Sequence, residues 1–317
     1  MDTWPYLEPL EHFCLAKLGP QAAPRVIDWA ALPGGWEHES WSVVLEVGAV
    51  PARRRGTFVL RLGLRQGAHQ AVTREVRTLH ALARLGYPAP RIFLSDPTGA
   101  ALGTPFLLVH FIDGVLLMDK MPRVSDSERT QLRRRYCGQL AGLHALNWRE
   151  VKGDLLGRLD CDTLLADAIA MADRAPTLAP LVAWLARRRR LVADRTAVVH
   201  GDPHLANAIA GTDGNITFID WSAAGLGDPR VDIGRALMLI RAYGSDDRRD
   251  RFVAEFEATM GPLTHLDWFE VHAAVRHLGH LADGWGSDGK PVETHHLEAA
   301  RRIAGFAALV TDTRGQD

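Results

Sequence analysis

The apolar periodicity of this chain changes near residue 112, and that change limits the possible folds more than any single motif. Before it, residues 41–47 (WSVVLEV) and 57–62 (TFVLRL) are β-branched and apolar, each preceded by turn-forming Gly or Pro, and read as strands. Val72, Val76, Leu79 and Ala83 then recur at helical spacing, with Gly86, Pro88 and Pro90 as the stop. Residues 91–94 and 105–112 return to strand character. From Ser125 onward helical stripes dominate. Leu132, Tyr136, Leu140 and Leu143 form one, and residues 164–171, 178–193, 229–243, 248–260 and 265–283 carry others. Only residues 197–199, 207–210 and 216–219 read as strands in this half. The pattern predicts a two-lobed α+β fold: an antiparallel sheet with a long helix over residues 1–108, a hinge at 109–114, and a mainly helical lobe over 115–317. At 317 residues and 47% hydrophobic content, both lobes can bury a core.

Charge and cysteine usage narrow the partners. The formal net charge is -1, which offers no reason to expect nucleic acid or an anionic membrane, and the basic runs 133–135 and 187–190 read as solvated helix faces. Cys14, Cys137 and Cys161 share no disulfide or metal spacing, so a reducing cytoplasm fits. The first residues lack the basic and apolar regions of a signal peptide, and the longest uncharged stretch, 97–112, is too short to span a bilayer. No G-x-x-x-x-G-K-[ST] occurs, and the G-x-G-x-x-G at residues 284–289 follows a helical pattern, which removes the P-loop and dinucleotide readings.

The chemistry concentrates in residues 200–207, HGDPHLAN. His200, Asp202 and His204 could bind zinc as H-x-D-x-H, or Asp202 could accept the proton of a hydroxyl. Downstream, Asp213–Gly214 marks a hairpin turn. Folded symmetrically about that pair, opposed residues sum to 427 and Asn207 faces Asp220 on one sheet face. Two oxygen ligands meeting at one point suit a hard cation such as Mg2+ held with phosphate oxygens. An acid beside them supplies what phosphoryl transfer needs, namely positioning, a proton acceptor and charge neutralisation.

The spacing Asp202, Asn207, Asp220 matches the order of the protein-kinase signature. HGDPHLAN, followed by FIDW and GDPRVDIG, resembles the aminoglycoside phosphotransferase family, protein-kinase-like small-molecule kinases that include choline and homoserine kinases. The likeness runs from about Leu32 to Met238. It implies that Asp202 is the catalytic base or acceptor-orienting residue, that Asn207 and Asp220 hold Mg2+, and that His200 and Asp232 support the loop. It also implies ATP or GTP as co-substrate, bound through a phosphate-covering loop with Gly34 and Gly35, through Arg61 paired with Glu75, and through backbone groups at Val109 and Phe111. Arg61 stands where protein kinases carry lysine, and a guanidinium can hold phosphate bidentately. Asp228 with Pro229 reads as an ordinary helix start.

For the acceptor, His204, Trp221, Asp232, Trp268, Glu270, Asp283 and Trp285 are available, and a polycationic aminoglycoside would need several converging carboxylates. Antibiotics, sugars, amino alcohols and amino-acid hydroxyls all remain open as acceptors, so a metabolite kinase is the first alternative. A catalytically silent kinase-like binding module and a metal hydrolase are the others. His272, His277 and His280 read as helix-surface or pocket residues.

Overall fold

In the computed structural model, which describes residues 4–32, 38–48, 53–64, 67–154, 157–283 and 294–312, the chain divides into two units, Met1–Asp113 and Gly114–Asp317. The first contains α1 (Leu7–Leu18), β1 (Arg25–Ala31), β2 (His38–Val47), β3 (Arg54–Gly63), α2 (Ala68–Arg84), β4 (Ile92–Asp96) and β5 (Phe106–His110). Its antiparallel sheet has the order β1-β2-β3-β5-β4. Period-two alternation on β3 buries Phe58, Leu60 and Leu62 with Val43, Leu45, Phe106 and Leu108, and Leu10 and Cys14 of α1 join this core. Helix α2 buries Val72 and Leu79 of the expected stripe together with Ala81 and Leu82, while Val76 is half-buried and Ala83 is exposed, so the inward face is turned slightly from the one the spacing predicts.

Periodicity does not reveal α1 or β1, for local reasons. Helix α1 carries Pro9 and buries only Leu10 and Cys14, too narrow a stripe to register as amphipathic. Strand β1 buries only Val26 and is shifted in register between Val26 and Asp28. Val109 and His110 are the last residues of β5, which ends two residues short of the strand expected over 105–112.

The second unit contains β6 (Gly114–Leu116), α3 (Leu117–Lys120), α4 (Asp126–His144), β7 (Gly157–Leu159), α5 (Cys161–Arg174), α6 (Ala179–Arg188) and β8 (Ala197–Val199). It continues with β9 (Ala208–Gly211), β10 (Ile216–Phe218), β11 (Gly225–Gly227), α7 (Arg230–Ala242), α8 (Asp246–Met260), α9 (Leu266–Ala282) and α10 (Thr294–Asp312). Side-chain caps start three helices: Ser125 receives the Glu128 N–H, Asp160 that of Thr163, and Ser245 that of Arg248. Helices α5, α6, α7, α9 and α10 share one apolar cluster around Trp184, Trp268, Phe269 and Ile303. Two small sheets, β10-β9-β6 and β7-β11-β8, flank residues 200–207, which run from the end of β8 to the start of β9.

The basic runs are less solvated than expected. Arg133 is buried, and Arg189 pairs with Asp162 and Asp194. His272 and His277 are likewise buried in α9, because that helix packs against both α5 and α7.

The hairpin register also differs from the expected one. Ala208 faces Phe218 and Ala210 faces Ile216, so opposed residues sum to 426, and Asn207 lies opposite Ile219, whose N–H donates to the Asn207 carbonyl at 2.9 Å. The cause is the turn. Gly214 adopts φ +82°, its N–H bonds to the Gly211 carbonyl, and the Gly211 N–H bonds to Asn215, a three-residue loop closing on a left-handed glycine. A one-residue change of register would carry Asp220 to the opposite face of a regular strand. Asp220 is not in a strand; its φ is 62°, in the left-handed region that few non-glycine residues adopt.

Candidate active site

The strand β8 ends at Val199 and delivers residues 200–207 into a buried hydrogen-bond network. The carboxylate of Asp232, in the first turn of α7, accepts the backbone N–H groups of His200 at 2.8 Å and Gly201 at 2.7 Å. His144 of α4 lies with Nε2 2.9 Å from the same carboxylate. Asp232 is fully buried, so these three donors supply the compensation that a buried charge requires. Gly201, with φ +82°, has no room for a side chain: a Cβ there would sit 2.3 Å from the Ala223 carbonyl oxygen.

His200 is fully buried and uses both ring nitrogens. Nδ1 accepts the Asp202 N–H at 3.3 Å, and Nε2 lies 3.0 Å from the Ile219 carbonyl oxygen, so the ring is the neutral Nε2–H tautomer. Burial pushes its pKa down, consistent with that state. Tyr136 of α4 donates its hydroxyl to the Pro203 carbonyl, fixing the middle of the loop. His204 accepts the Ala206 N–H through Nδ1, with Nε2 3.7 Å from Asp202 Oδ2.

Asp202 accepts Nε of Arg235 on Oδ1 at 2.8 Å. Burial acts to raise its pKa, but the charges of Arg235, His204 and Arg276 outweigh burial and hold the carboxyl well below the usual carboxylate range. Arg276 of α9 donates Nη1 to the Gly201 carbonyl at 2.8 Å. Asn207 closes a short 3-10 turn and donates Nδ2 to the Asp202 carbonyl at 3.1 Å, which leaves the amide oxygen as the end offered to a cation. Asp220 Oδ1 accepts the Ser222 hydroxyl at 2.8 Å.

In the first unit, Arg61 of β3 and Glu75 of α2 form an ion pair with both side chains nearly buried. Val109 is buried in β5 and Phe111 is exposed, its N–H bonded to the Thr57 carbonyl. Gly34, Gly35 and Trp285 lie outside the described residues.

Several expected acceptor contacts are used elsewhere. Trp221 is fully buried and donates Nε1 to the Phe218 carbonyl, and Trp268 is buried with Nε1 on the Leu185 carbonyl. Glu270 is buried in a pair with Arg249 and lies 3.8 Å from Arg241, and Asp283 pairs with Arg174. Asp228 lies one residue ahead of Pro229, the N-cap of α7, rather than at the cap itself; its carboxylate accepts the Arg230 N–H and clasps the buried Arg230 guanidinium.

Sequence reasoning missed Arg235, Arg276 and His144. A signal for Arg235 existed: it follows Asp232 by three residues in a helix, so the two share a face. Arg276 and His144 come from distant helices and carry no local signal.

The model of the phosphotransferase enzyme family matches residues 28–272. The chain belongs to that family. A putative aminoglycoside phosphotransferase from Ralstonia eutropha shares its fold, with a TM-score of 0.71 at 20% identity, covering 96% of this chain and 97% of that one. So does a thermostable mutant of aminoglycoside phosphotransferase APH(4)-Ia, solved with ADP and hygromycin B, with a TM-score of 0.67 at 17% identity, covering 97% of this chain and 99% of that one. These place the phosphotransferase in a two-lobed protein-kinase-like α+β fold. A probable acyl-CoA dehydrogenase from Arabidopsis thaliana, IBR3, is 29% identical over 219 residues, 62% of this chain but 26% of that protein. The phosphotransferase thus spans about a quarter of that relative's length. Among its described residues, no helix is long and apolar enough to cross a membrane.

Burial around the loop makes the stability of this phosphotransferase pH-dependent. Desolvation lowers the pKa values of His272 and His277 to about 3, helped by the charge of Arg276 on His272 and of Arg235 on both. Their folded pKa values lie below the unfolded value of about 6.5, so the stability they carry is complete above pH 6.5 and falls as the pH drops towards 3. At pH 5.5 each should forfeit about 1 kcal/mol. Urea midpoints at pH 7.5 and 5.5 check this; equal midpoints would show that these rings are not buried neutral.

Proposed function

We propose that this phosphotransferase moves the γ-phosphate of ATP or GTP to a hydroxyl of a small molecule. The observation that carries the reading is the turn joining Asp202 to Asn207: the asparagine amide bonds the aspartate's own carbonyl, so proton acceptor and cation ligand are held in one rigid unit. Asp202 Oδ1 is occupied by Arg235, and Oδ2 is the oxygen that receives the acceptor hydroxyl. The bond from the γ-phosphorus to the nucleotide's bridging oxygen breaks, a bond to the acceptor oxygen forms, and the hydroxyl proton passes to Oδ2. A carboxylate with so low a pKa is a weak base. Its main work is to orient the hydroxyl, with the proton leaving late, as a loose phosphoryl-transfer transition state allows.

Asn207 and Asp220 offer oxygen donors only, a set that fits Mg2+, and the left-handed backbone at Asp220 is a strain on the order of 1 kcal/mol that a functional site would retain. When bound, Mg2+ neutralises charge on the nucleotide phosphates. His200 and Asp232 brace the loop. Arg61, held by Glu75, takes nucleotide phosphate, with Gly34, Gly35, Val109 and Phe111 as further nucleotide contacts. The zinc-hydrolase alternative is weakened because both nitrogens of His200 are already committed to hydrogen bonds.

Transfer of labelled γ-phosphate from ATP and from GTP across a panel of hydroxyl compounds, with Mg2+ titrated, tests the reading. Transfer should require Mg2+ and survive zinc chelators. Activity lost to zinc chelation and indifferent to Mg2+ would reverse the assignment.

A further inference from the structure

We propose that His204 is a second contact to the reacting hydroxyl: its Nε2–H donates to the acceptor oxygen whose proton goes to Asp202 Oδ2. The inference rests on the phosphotransferase reading above and adds a residue and a selection rule to it.

The turn that joins Asp202 to Asn207 fixes the ring. Nδ1 of His204 accepts the backbone N–H of Ala206 at 3.2 Å, capping the 3-10 turn Leu205–Asn207. A ring nitrogen that accepts carries no proton, so the proton of the neutral ring is on Nε2, and Nε2 is a donor. Burial acts to lower the His204 pKa, ahead of the opposing field of Asp202, in keeping with a neutral ring. The backbone of His204 is held as well: its N–H donates to the Asp202 carbonyl at 2.9 Å, and its carbonyl accepts the Asn207 N–H at 2.8 Å.

That donor lies beside the oxygen the reaction uses. Nε2 is 3.7 Å from Asp202 Oδ2, too far for a direct hydrogen bond. Oδ1 of the same carboxylate is taken by Arg235. Among the described residues neither Oδ2 nor Nε2 has a hydrogen-bond partner, and the two side chains keep 23% and 26% of their surface open. Each bond needs about 2.7–3.0 Å, so one small atom can touch both groups at once.

An atom in that position must donate to Oδ2 and accept from Nε2. A hydroxyl does both and keeps a lone pair for phosphorus, whereas an ammonium group has no lone pair with which to accept. During transfer the hydroxyl proton passes to Oδ2, the oxygen–phosphorus bond forms and the bond to the nucleotide's bridging oxygen breaks. His204 keeps its own proton throughout and holds the attacking oxygen in place. A ring that served only as a cap would need Nδ1 alone, a task asparagine performs at an N-cap equally well.

Substitution separates the two nitrogens. The asparagine carbonyl oxygen can replace Nδ1 as the cap, and the longer glutamine can bring an amide N–H to the place of Nε2. His204→Asn should therefore keep the wild-type urea midpoint and the KM for ATP, while kcat/KM for the acceptor falls by about tenfold or more, the effect of one hydrogen bond to the reacting group. His204→Gln should lower the urea midpoint and retain more of the acceptor kcat/KM than His204→Asn does. Transfer is measured on the full chain with Mg2+ and ATP, to the best acceptor of the hydroxyl panel. Where none accepts, water is the acceptor, and kcat for ATP hydrolysis takes the place of kcat/KM. A 15N–1H correlation spectrum of the histidine rings, assigned by the signal lost in His204→Asn, should show the His204 proton on Nε2 at pH 7.5.

The inference is overturned if His204→Asn keeps wild-type acceptor kinetics, if both variants lose activity in step with their urea midpoints, if the KM for ATP moves in place of the acceptor's, or if the ring proton is on Nδ1. Each of these results, with transfer by the wild type, leaves the phosphotransferase reading intact. Absence of wild-type transfer to every hydroxyl, water included, removes that reading and this inference together.

Discussion

Asp202→Asn should reduce kcat by about 100- to 10,000-fold, the range expected when a positioned proton acceptor is removed. Asparagine keeps the shape and can still accept the Arg235 Nε–H on its amide oxygen, so the loop remains folded and the loss falls on kcat more than on nucleotide KM. The wild-type pH profile should show no acidic limb from this residue in the usual carboxylate range. Arg235, His204 and Arg276 keep its carboxyl ionised to lower pH, and activity depends on the ionised form. Steady-state kinetics of both proteins from pH 5 to 9 provide the check. Full activity in Asp202→Asn would leave the proposed mechanism without its acceptor of the hydroxyl proton.

The second large effect is on folding. Asp232→Ala should destabilise the protein by about 3–5 kcal/mol, because the His200 and Gly201 N–H groups lose their acceptor inside the core and His144 loses its partner. Asp232→Asn should be milder but still damaging, since one amide oxygen must serve donors that two carboxylate oxygens serve now and its NH2 group brings further donors. Activity should fall in both variants even where folding is rescued by temperature or osmolyte, because the backbone that presents Asp202 is no longer pinned. Urea unfolding combined with turnover below the transition measures both. Wild-type stability in Asp232→Ala would mean that water replaces the carboxylate at no cost.

The residues of the loop were legible because their spacing is local. Four residues separate Asp202 from Asn207, and the structure joins them in one turn. The hairpin was legible as a hairpin but not in its register. The Asp-Gly pair announces a turn of either two or three residues, and only the hydrogen bond from Gly211 to Asn215 selects the three-residue form. That selection moves Ile219, not Asp220, opposite Asn207. The position of Asp220 then depends on a left-handed φ that no residue type other than glycine signals strongly in sequence.

The acceptor side was read least well, and the reason is pairing. Trp221, Glu270 and Asp283 have the right chemistry for substrate contacts, but side-chain type does not show whether a group is already satisfied by a distant partner. Arg249 stands 21 positions from Glu270, and Arg174 stands 109 positions from Asp283.

Sequence by itself determined what is written in short intervals: the division into a strand-rich and a helix-rich part, the helix over α2, and the short segment that holds Asp202 and Asn207 together. Periodicity and turn chemistry act over a few residues, so one chain suffices to see them. Only the tertiary structure decided the charge around Asp202. Arg235 and Arg276 reach it from two different helices, and His144 reaches Asp232 from a third, because helix packing sets which distant side chains share a buried site. In that low-dielectric site each pairing fixes the charge of its neighbours, and no interval along the sequence encodes it.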